Sequence, residues 1–446
     1  MESIFDTKHL YRNYFRMAFP VVLGLVVTLI YNLADTFFIA QTGNTNLIAG
    51  VSLCAPVFTG LMAFGNVYGQ GGSSLISRLL GQNKHIETAR VSSFCFYIAI
   101  ATGVALAIIM TLANKPILSL LGATEDTMPH ALSYYTVLTI CAPIIVLSFI
   151  HSNLLRCEGL ATESMVGTII GAIINIILDP ILISVVGLGA LGAAIATVIG
   201  YLCSDLYFLM ILHKRSQFLS VRPSLCRVNK PELKQILGVG VTAALSNLMQ
   251  SVTVVVINQF LLPYGNDKIA AMGIVLKAIM IVQLMLTGFA FGGVPVFGYL
   301  YGADKRKDLK RLIHFCLIFI MSLALFLTII LYIEATPLMG LFVKNAELIA
   351  SGTSMLRWQA AGSVFAGIVL LMTVLFQATG KIIPSFAMSI SRQGVVFLIV
   401  IIVSVKLFAY NGVLMAQAIA DLVSALLAIV LLVKFNPIAK NDLDSN

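Results

Sequence analysis

Few ionisable side chains lie inside the long apolar stretches of this 446-residue chain, so each can be weighed singly. An ionisable group at the centre of a bilayer costs at least about 2.5–3.5 kcal/mol on insertion scales, and such groups commonly mark ion or substrate pathways. Asp35 is one. Thr28, Asn32 and Asp35 are spaced i, i+4 and i+7, which puts them on one face of a helix. Asp179 is a second, with Asn175 one turn before it on the same face. Thr197 and Tyr135 fall at similar depth in neighbouring apolar segments. Carboxylates in such a setting can hold a proton. The same oxygens can ligate Na⁺, a hard cation that prefers oxygen. Residue types alone allow both, and also allow Asp35 as a hydrated helix-end residue and Asp179 as a polar cap where Pro180 breaks its helix.

These residues need elements that cross a membrane. Apolar residues make up 59% of the chain and charged ones 11%, against about 25% charged in soluble domains. A span takes about 20 apolar residues. The pattern predicts twelve, near 17–40, 48–77, 91–113, 131–154, 164–186, 190–212, 235–262, 269–300, 312–334, 351–378, 383–407 and 412–434. The N-terminus and the even-numbered connections carry 21 Lys and Arg, and the odd-numbered ones carry three. That asymmetry predicts both termini in the cytoplasm. It also accounts for the net charge of +9 as topology, which disfavours nucleic acid as a partner. The charged N-terminal segment lacks the short apolar core of a cleaved signal peptide. Seven cysteines without a CxxC pattern suggest neither a disulfide framework nor a zinc site.

The chain repeats itself at an offset of about 221. Gly81-Gln-Asn-Lys matches Gly302-Ala-Asp-Lys, Gly72 falls on Gly293, Pro116 on Pro337, and Cys157-Glu-Gly on Ala378-Thr-Gly. Gly189 reaches Gly412 with a small gap. The expected organisation is a cytoplasmic N-terminus (1–16), an N-lobe (17–212), a basic cytoplasmic linker (213–234), a C-lobe (235–434) and a cytoplasmic tail (435–446). Six spans per half give both halves the same orientation, and parallel repeats of this kind bind substrate near the membrane midplane. At the repeat offset Asp35 and Asp179 fall on Val256 and Val400, so the second half lacks the acidic pair. Asp421 and Arg392 lie at comparable depth there and are expected to pair, as intramembrane charges usually do.

Several local signatures together resemble a known family. They are Ala18-Phe19-Pro20 followed by Tyr31-Asn32-Leu33-Ala34-Asp35-Thr36, then Ser77-Arg78-Leu79-Leu80-Gly81, Asn175 through Asp179-Pro180, Gly189-Ala-Leu-Gly-Ala-Ala, and Ala271-Met-Gly-Ile-Val. In order and spacing they are similar to the multidrug and toxic compound extrusion (MATE) family, over the whole chain, and most like the DinF-like prokaryotic branch with an N-lobe ion site. The resemblance implies an all-α integral membrane protein with twelve transmembrane helices in two pseudo-symmetric six-helix lobes. It implies a secondary active exporter of small amphipathic or cationic drugs, working by antiport with H⁺ or Na⁺ and alternating access in a bacterial inner membrane, as a monomer. It carries the coupling-ion network onto Asp35, Tyr135, Asn175, Asp179 and Thr197. Thr28, Asn32 and Asn153 become pocket candidates. Pro20 becomes a helix kink, although a proline near a helix start is also readily tolerated.

No enzyme signature (HExxH, GxSxG, Walker A or a dinucleotide fingerprint) appears, so neither catalysis, a cofactor nor ATP drive is expected. The alternative function is a lipid-linked oligosaccharide flippase of the same broader superfamily. It would want a cationic cavity, whereas most basic residues here are in loops.

Overall fold

Mean hydropathy of +0.98 leaves most side chains suited to lipid, and backbone polar groups in lipid must then be satisfied within helices. A computed structural model describes residues 7–342 and 344–438. The expected tail residues 439–446 and the first six residues lie outside the described ones. The described residues are helical with short connections.

The spans are α1 (Leu10–Gln41), α2 (Thr45–Gly81), α3 (His85–Leu112), α4 (Met128–Cys157), α5 (Ala161–Val185), α6 (Ala190–Lys214), α7 (Lys230–Tyr264), α8 (Asn266–Gly302), α9 (Arg306–Ile333) and α10 (Ala346–Ala378). A final apolar segment, Ile382–Lys434, is 53 residues long, about 80 Å at 1.5 Å per residue, far more than one bilayer requires. It reverses at Ala409, whose φ of 49° and ψ of −123° are not helical. The two helices on either side of this kink are α11 (382–408) and α12 (410–434). Two short helices, Asn114–Leu120 and Ala335–Phe342, precede α4 and α10.

Prolines shape the spans that hold the polar residues. α4 bends by 56° at Cys141, two residues before Pro143, which has no N–H to continue the ladder. Pro180 ends the regular part of α5, and the chain widens into a π-helical turn over Ile181–Val185. A second π turn, Ser391–Val395, interrupts α11. α1, in contrast, runs through Pro20 without interruption.

The chain forms two compact units. One is Leu23–Val241; the other joins the stretch ending at Val22 to the chain from Thr242 onward. Each unit thus borrows the first turns of a helix whose remainder belongs to the other. In the second unit the start of α1 is held by Tyr14, whose hydroxyl donates to the Phe289 carbonyl at 2.8 Å. Phe15 packs edge-on against Phe289 and Phe319. Gly288 and Gly292 let the α1 backbone approach at Val22 and Ala18, where a Cβ would collide. In the first unit the start of α7 is seated likewise. Gly240 faces the Val67 carbonyl, Gly71 faces that of Ile236, and Arg78 donates to Gln235 at 3.2 Å.

The connection after α6 lies on the first unit. Glu158 accepts from the Ser216 hydroxyl and from the backbone N–H groups of Gln217 and Phe218. Ser92 and Ser93 donate to the Ser220 carbonyl, each at 2.9 Å, and the Tyr97 hydroxyl donates to that of Val221.

The backbone corrects one pairing in the repeat. Gly189 opens α6 with φ 55° and ψ −125°, matching Ala409 and not Gly412. Gly192 and Gly412 then correspond, each abutting the carbonyl of the preceding span, at Leu182 and Ser404. A sequence match of glycine to glycine misses this, because an alanine occupies the strained position in the second half.

Candidate functional site

α5 and α6 cross closely because Gly171 and Gly200 meet backbone to backbone. A Cβ on Gly200 would lie 2.7 Å from the Gly171 carbonyl oxygen. This approach brings Asn175 and Asp179 of α5 to Thr197 of α6. All three are buried, at 2%, 0% and 3% exposure. The Asn175 amide nitrogen lies 3.4 Å from Asp179 Oδ1 and 3.5 Å from Thr197 Oγ1. With the amide turned over, its nitrogen donates to Asp179 Oδ2 at 3.2 Å, and its oxygen accepts from the Thr197 backbone N–H at 3.2 Å. The second arrangement satisfies both ends of the amide, and in either one Asn175 donates to Asp179.

Asp35 joins from α1. It is half-buried, its Oδ1 is buried without a hydrogen bond among the described residues, and its carboxylate acts electrostatically on that of Asp179. Asp179 thus lies within the electrostatic influence of a second acid, with neutral polar neighbours at Asn175 and Thr197. The two acids cannot both stay charged cheaply in a low-dielectric setting, so the arrangement is suited to taking up a cation.

Tyr135 does not enter this cluster. It is fully buried, and its hydroxyl donates to the Met110 carbonyl of α3 at 2.8 Å. Its neighbour Tyr134 faces the cluster instead, reaching the Thr197 side chain and the field of Asp35. Adjacent residues on a helix point about 100° apart, so depth alone could not choose between the two tyrosines. The bend at Cys141 also prevents the face from being projected from the lower half of α4. Two further phenols lie beside the cluster. Tyr31, one turn before Asp35, meets Tyr201, one turn after Thr197. Their i, i+4 spacing from residues already chosen was the available signal.

The pocket candidates are bound to their own helices. Thr28 Oγ1 donates to the Gly24 carbonyl at 2.9 Å, Asn32 Nδ2 to that of Thr28 at 2.8 Å, and Asn153 Nδ2 to that of Phe149 at 2.6 Å. Asn32 is exposed, Thr28 half-buried, and Asn153 packs at the close approach of α2 at Gly69.

The second unit has a different polar centre. Arg392 Nε lies 2.7 Å from Asp421 Oδ1. Gln417 donates to the same carboxylate at 2.9 Å, and Arg392 reaches Gln283 Oε1 at 3.1 Å. The expected pairing is thus present. Counted from the matching turns at Gly189 and Ala409, Gln417 and Asp421 stand where Thr197 and Tyr201 stand in the first unit. Here the acid is already neutralised by an arginine. No group of three or more His, Cys, Asp or Glu able to hold a metal occurs among the described residues.

Comparison with known proteins agrees with this architecture. The family model MatE matches residues 20–181 and again 242–403, one copy in each half. The multidrug export protein MepA of Staphylococcus saprophyticus is 32% identical over 427 residues, covering 96% of this chain and 94% of the relative. MepA of Staphylococcus haemolyticus is 31% identical over 425 residues, covering 95% and 93%. A solved MATE structure in the bent conformation superposes with a TM-score of 0.91 at 25% identity, covering 98% of this chain and 97% of that one. An outward-facing multidrug resistance MATE transporter of the MOP superfamily gives 0.89 at 24%, covering 98% and 99%. With apolar helices of spanning length among the described residues and family matches in both halves, the chain belongs to the MatE family of membrane transporters.

Proposed function

We propose that this protein is a cation-coupled multidrug exporter in which the Asp35–Asp179 cluster of the first unit binds the coupling ion. The observation that carries this reading is the buried Asp179, held by Asn175 and within the electrostatic influence of Asp35, with no cationic side chain among those contacts. Amphipathic and cationic drugs are the proposed substrates; the MepA relatives are named multidrug export proteins. The protein sits in the plasma membrane with both termini inside, as the distribution of Lys and Arg supports. The two duplicated six-span halves work by alternating access.

H⁺ and Na⁺ make different demands on the site. A proton needs one carboxylate oxygen. Na⁺ needs several oxygens turned inward, and the Asn175 amide presents nitrogen, not oxygen, to Asp179. As arranged here the site offers a proton its oxygen, and Na⁺ would need the amide oxygen turned inward. Entry of the ion lowers the negative charge that holds a cationic substrate, and substrate is released. Dye efflux from everted vesicles, with pH and Na⁺ gradients imposed separately, tests the reading. A pH gradient alone should drive efflux, and Asp35→Asn and Asp179→Asn should each abolish it while the protein remains in the membrane. Full efflux by both variants would remove the assignment.

A further inference from the structure

The first unit buries a second titratable pair that the proposed ion site does not use. His151 of α4 and Asp205 of α6 are 1% and 3% exposed. Their nearest atoms, His151 Nδ1 and Asp205 Oδ1, are 3.7 Å apart, beyond hydrogen-bonding distance. Both ring nitrogens and both carboxylate oxygens are buried without a hydrogen bond among the described residues. Buried polar atoms are nearly always paired, so four together at two facing titratable groups call for an explanation.

The surroundings are selective. Phe96 of α3 and Phe208 of α6 flank the imidazole, with ring centroids at 5.5 and 6.4 Å. Ser148, one turn before His151, faces the carboxylate. The other ionisable groups nearby are engaged. Arg156 of α4 is bonded to Ser152 and Ser164, Glu163 of α5 to Arg215, and Cys95 of α3 packs toward Gly72 of α2. From α6, Tyr201 interacts with Asp205.

The pair is also connected to the first site. Thr197, Tyr201 and Asp205 are spaced i, i+4 and i+8, so they form one stripe along α6 about 12 Å long. At its upper end Thr197 belongs to the Asp179 cluster. At the middle rung Tyr201 meets Tyr31, which acts on Asp35 one turn further along α1. At the lower end Asp205 faces His151, about one and a half turns before α4 ends at Cys157.

We propose that His151 and Asp205 form a second proton-binding site, which receives the coupling proton from the Asp35–Asp179 cluster by way of Tyr31 and Tyr201 and delivers it to the cytoplasmic end of the first unit. The proposal rests on the reading of that cluster as the coupling site. The proton leaves a carboxyl oxygen of the cluster, which becomes carboxylate. Each phenol oxygen accepts one proton and passes on its own, the Asp205 carboxylate takes the last and hands it to the imidazole nitrogen, and water at the cytoplasmic side receives it when the imidazolium gives it up. Asp205 stabilises the imidazolium between these steps. The 3.7 Å gap is the resting arrangement, and protonation of the ring draws the two together.

Two measurements on the full-length protein test this. In detergent, side-chain NMR of ¹⁵N-histidine-labelled protein, with His151→Gln to assign the signal, should show the His151 ring exchanging between its two protonation states, and Asp205→Asn should change that behaviour. In proteoliposomes carrying a pH-sensitive dye, His151→Gln and Asp205→Asn should each cut substrate-coupled proton flux about tenfold. Asp205→Glu should keep most of it, and all three should retain the pH dependence of substrate binding. A ring fixed in one protonation state overturns the proposal, as does wild-type flux in both variants. If a variant no longer binds substrate, the wild-type NMR titration decides. Failure of Asp35→Asn to change the pH dependence of binding would instead remove the underlying assignment of the coupling site.

Discussion

The Arg392–Asp421 pair gives the sharpest energetic test of how the two units differ. Side-chain exposures are 11% and 2%, and the ionic contact is 2.7 Å. At that distance, with an effective dielectric constant of about 20, the gross attraction is about 6 kcal/mol. Much of it offsets desolvation, so the pair adds little net stability. Removing one partner strands the other as a buried charge, at about 3–5 kcal/mol. Arg392→Met should therefore destabilise the protein strongly, with loss of apparent Tm on the order of 10 °C if each unit behaves as a domain of about 200 residues. The double variant Arg392→Met/Asp421→Leu removes both charges and leaves Gln283 and Gln417 each short of a partner, at about 1–3 kcal/mol per group. It should recover most of the loss and keep ion-coupled efflux, because the pair is structural. Thermal stability by size exclusion in detergent, with dye efflux from vesicles, reads both. A double variant as unstable as Arg392→Met refutes the charge argument. One that is stable but uncoupled refutes the placing of coupling in the first unit.

Ala409→Gly should stabilise the protein by about 1–3 kcal/mol, since φ 49° and ψ −123° strain any residue with a Cβ; an unchanged or lower Tm would contradict this. Glu158→Ala strands the Ser216 hydroxyl and two backbone N–H groups, at about 1–3 kcal/mol per unpaired group. It should make residues 214–222 open to limited proteolysis without lowering transport, and equal resistance would show that this strap is held otherwise. A reporter fused after Asn446 should read cytoplasmic and one near Glu125 external; the opposite result would overturn the charge-based topology.

The fold was legible because hydropathy and charge asymmetry act over whole spans, where single exceptions average out. The repeat was visible in its glycines and prolines, which mark backbone positions. It was misaligned at one place, where Ala409 holds a conformation that glycine holds in the other half. The polar cluster of the first unit was half legible. Asp35, Asn175, Asp179 and Thr197 share depth and helical faces, and the structure brings them together. Choosing Tyr134 over Tyr135 needs the rotation of α4 above its bend, which no periodicity below Pro143 transmits. His151 and Asp205 were unreadable as a pair because they lie 54 residues apart on different helices. Only the crossing of α4 with α6 makes them neighbours.

Coupling through Asp35 and Asp179 is tested most directly by equilibrium binding of a cationic dye to the purified protein as pH and Na⁺ are varied separately. The account predicts that wild-type affinity falls as the coupling ion is raised, with protons as the effective ion, and that Asp35→Asn and Asp179→Asn bind dye with no such dependence. At about 100 mV, one inward charge contributes about 2.3 kcal/mol, enough for roughly a 50-fold gradient of a neutral substrate at about 1.36 kcal/mol per tenfold. Wild-type affinity that is unchanged by both ions, or variants that keep the wild-type dependence, would contradict direct competition at this site.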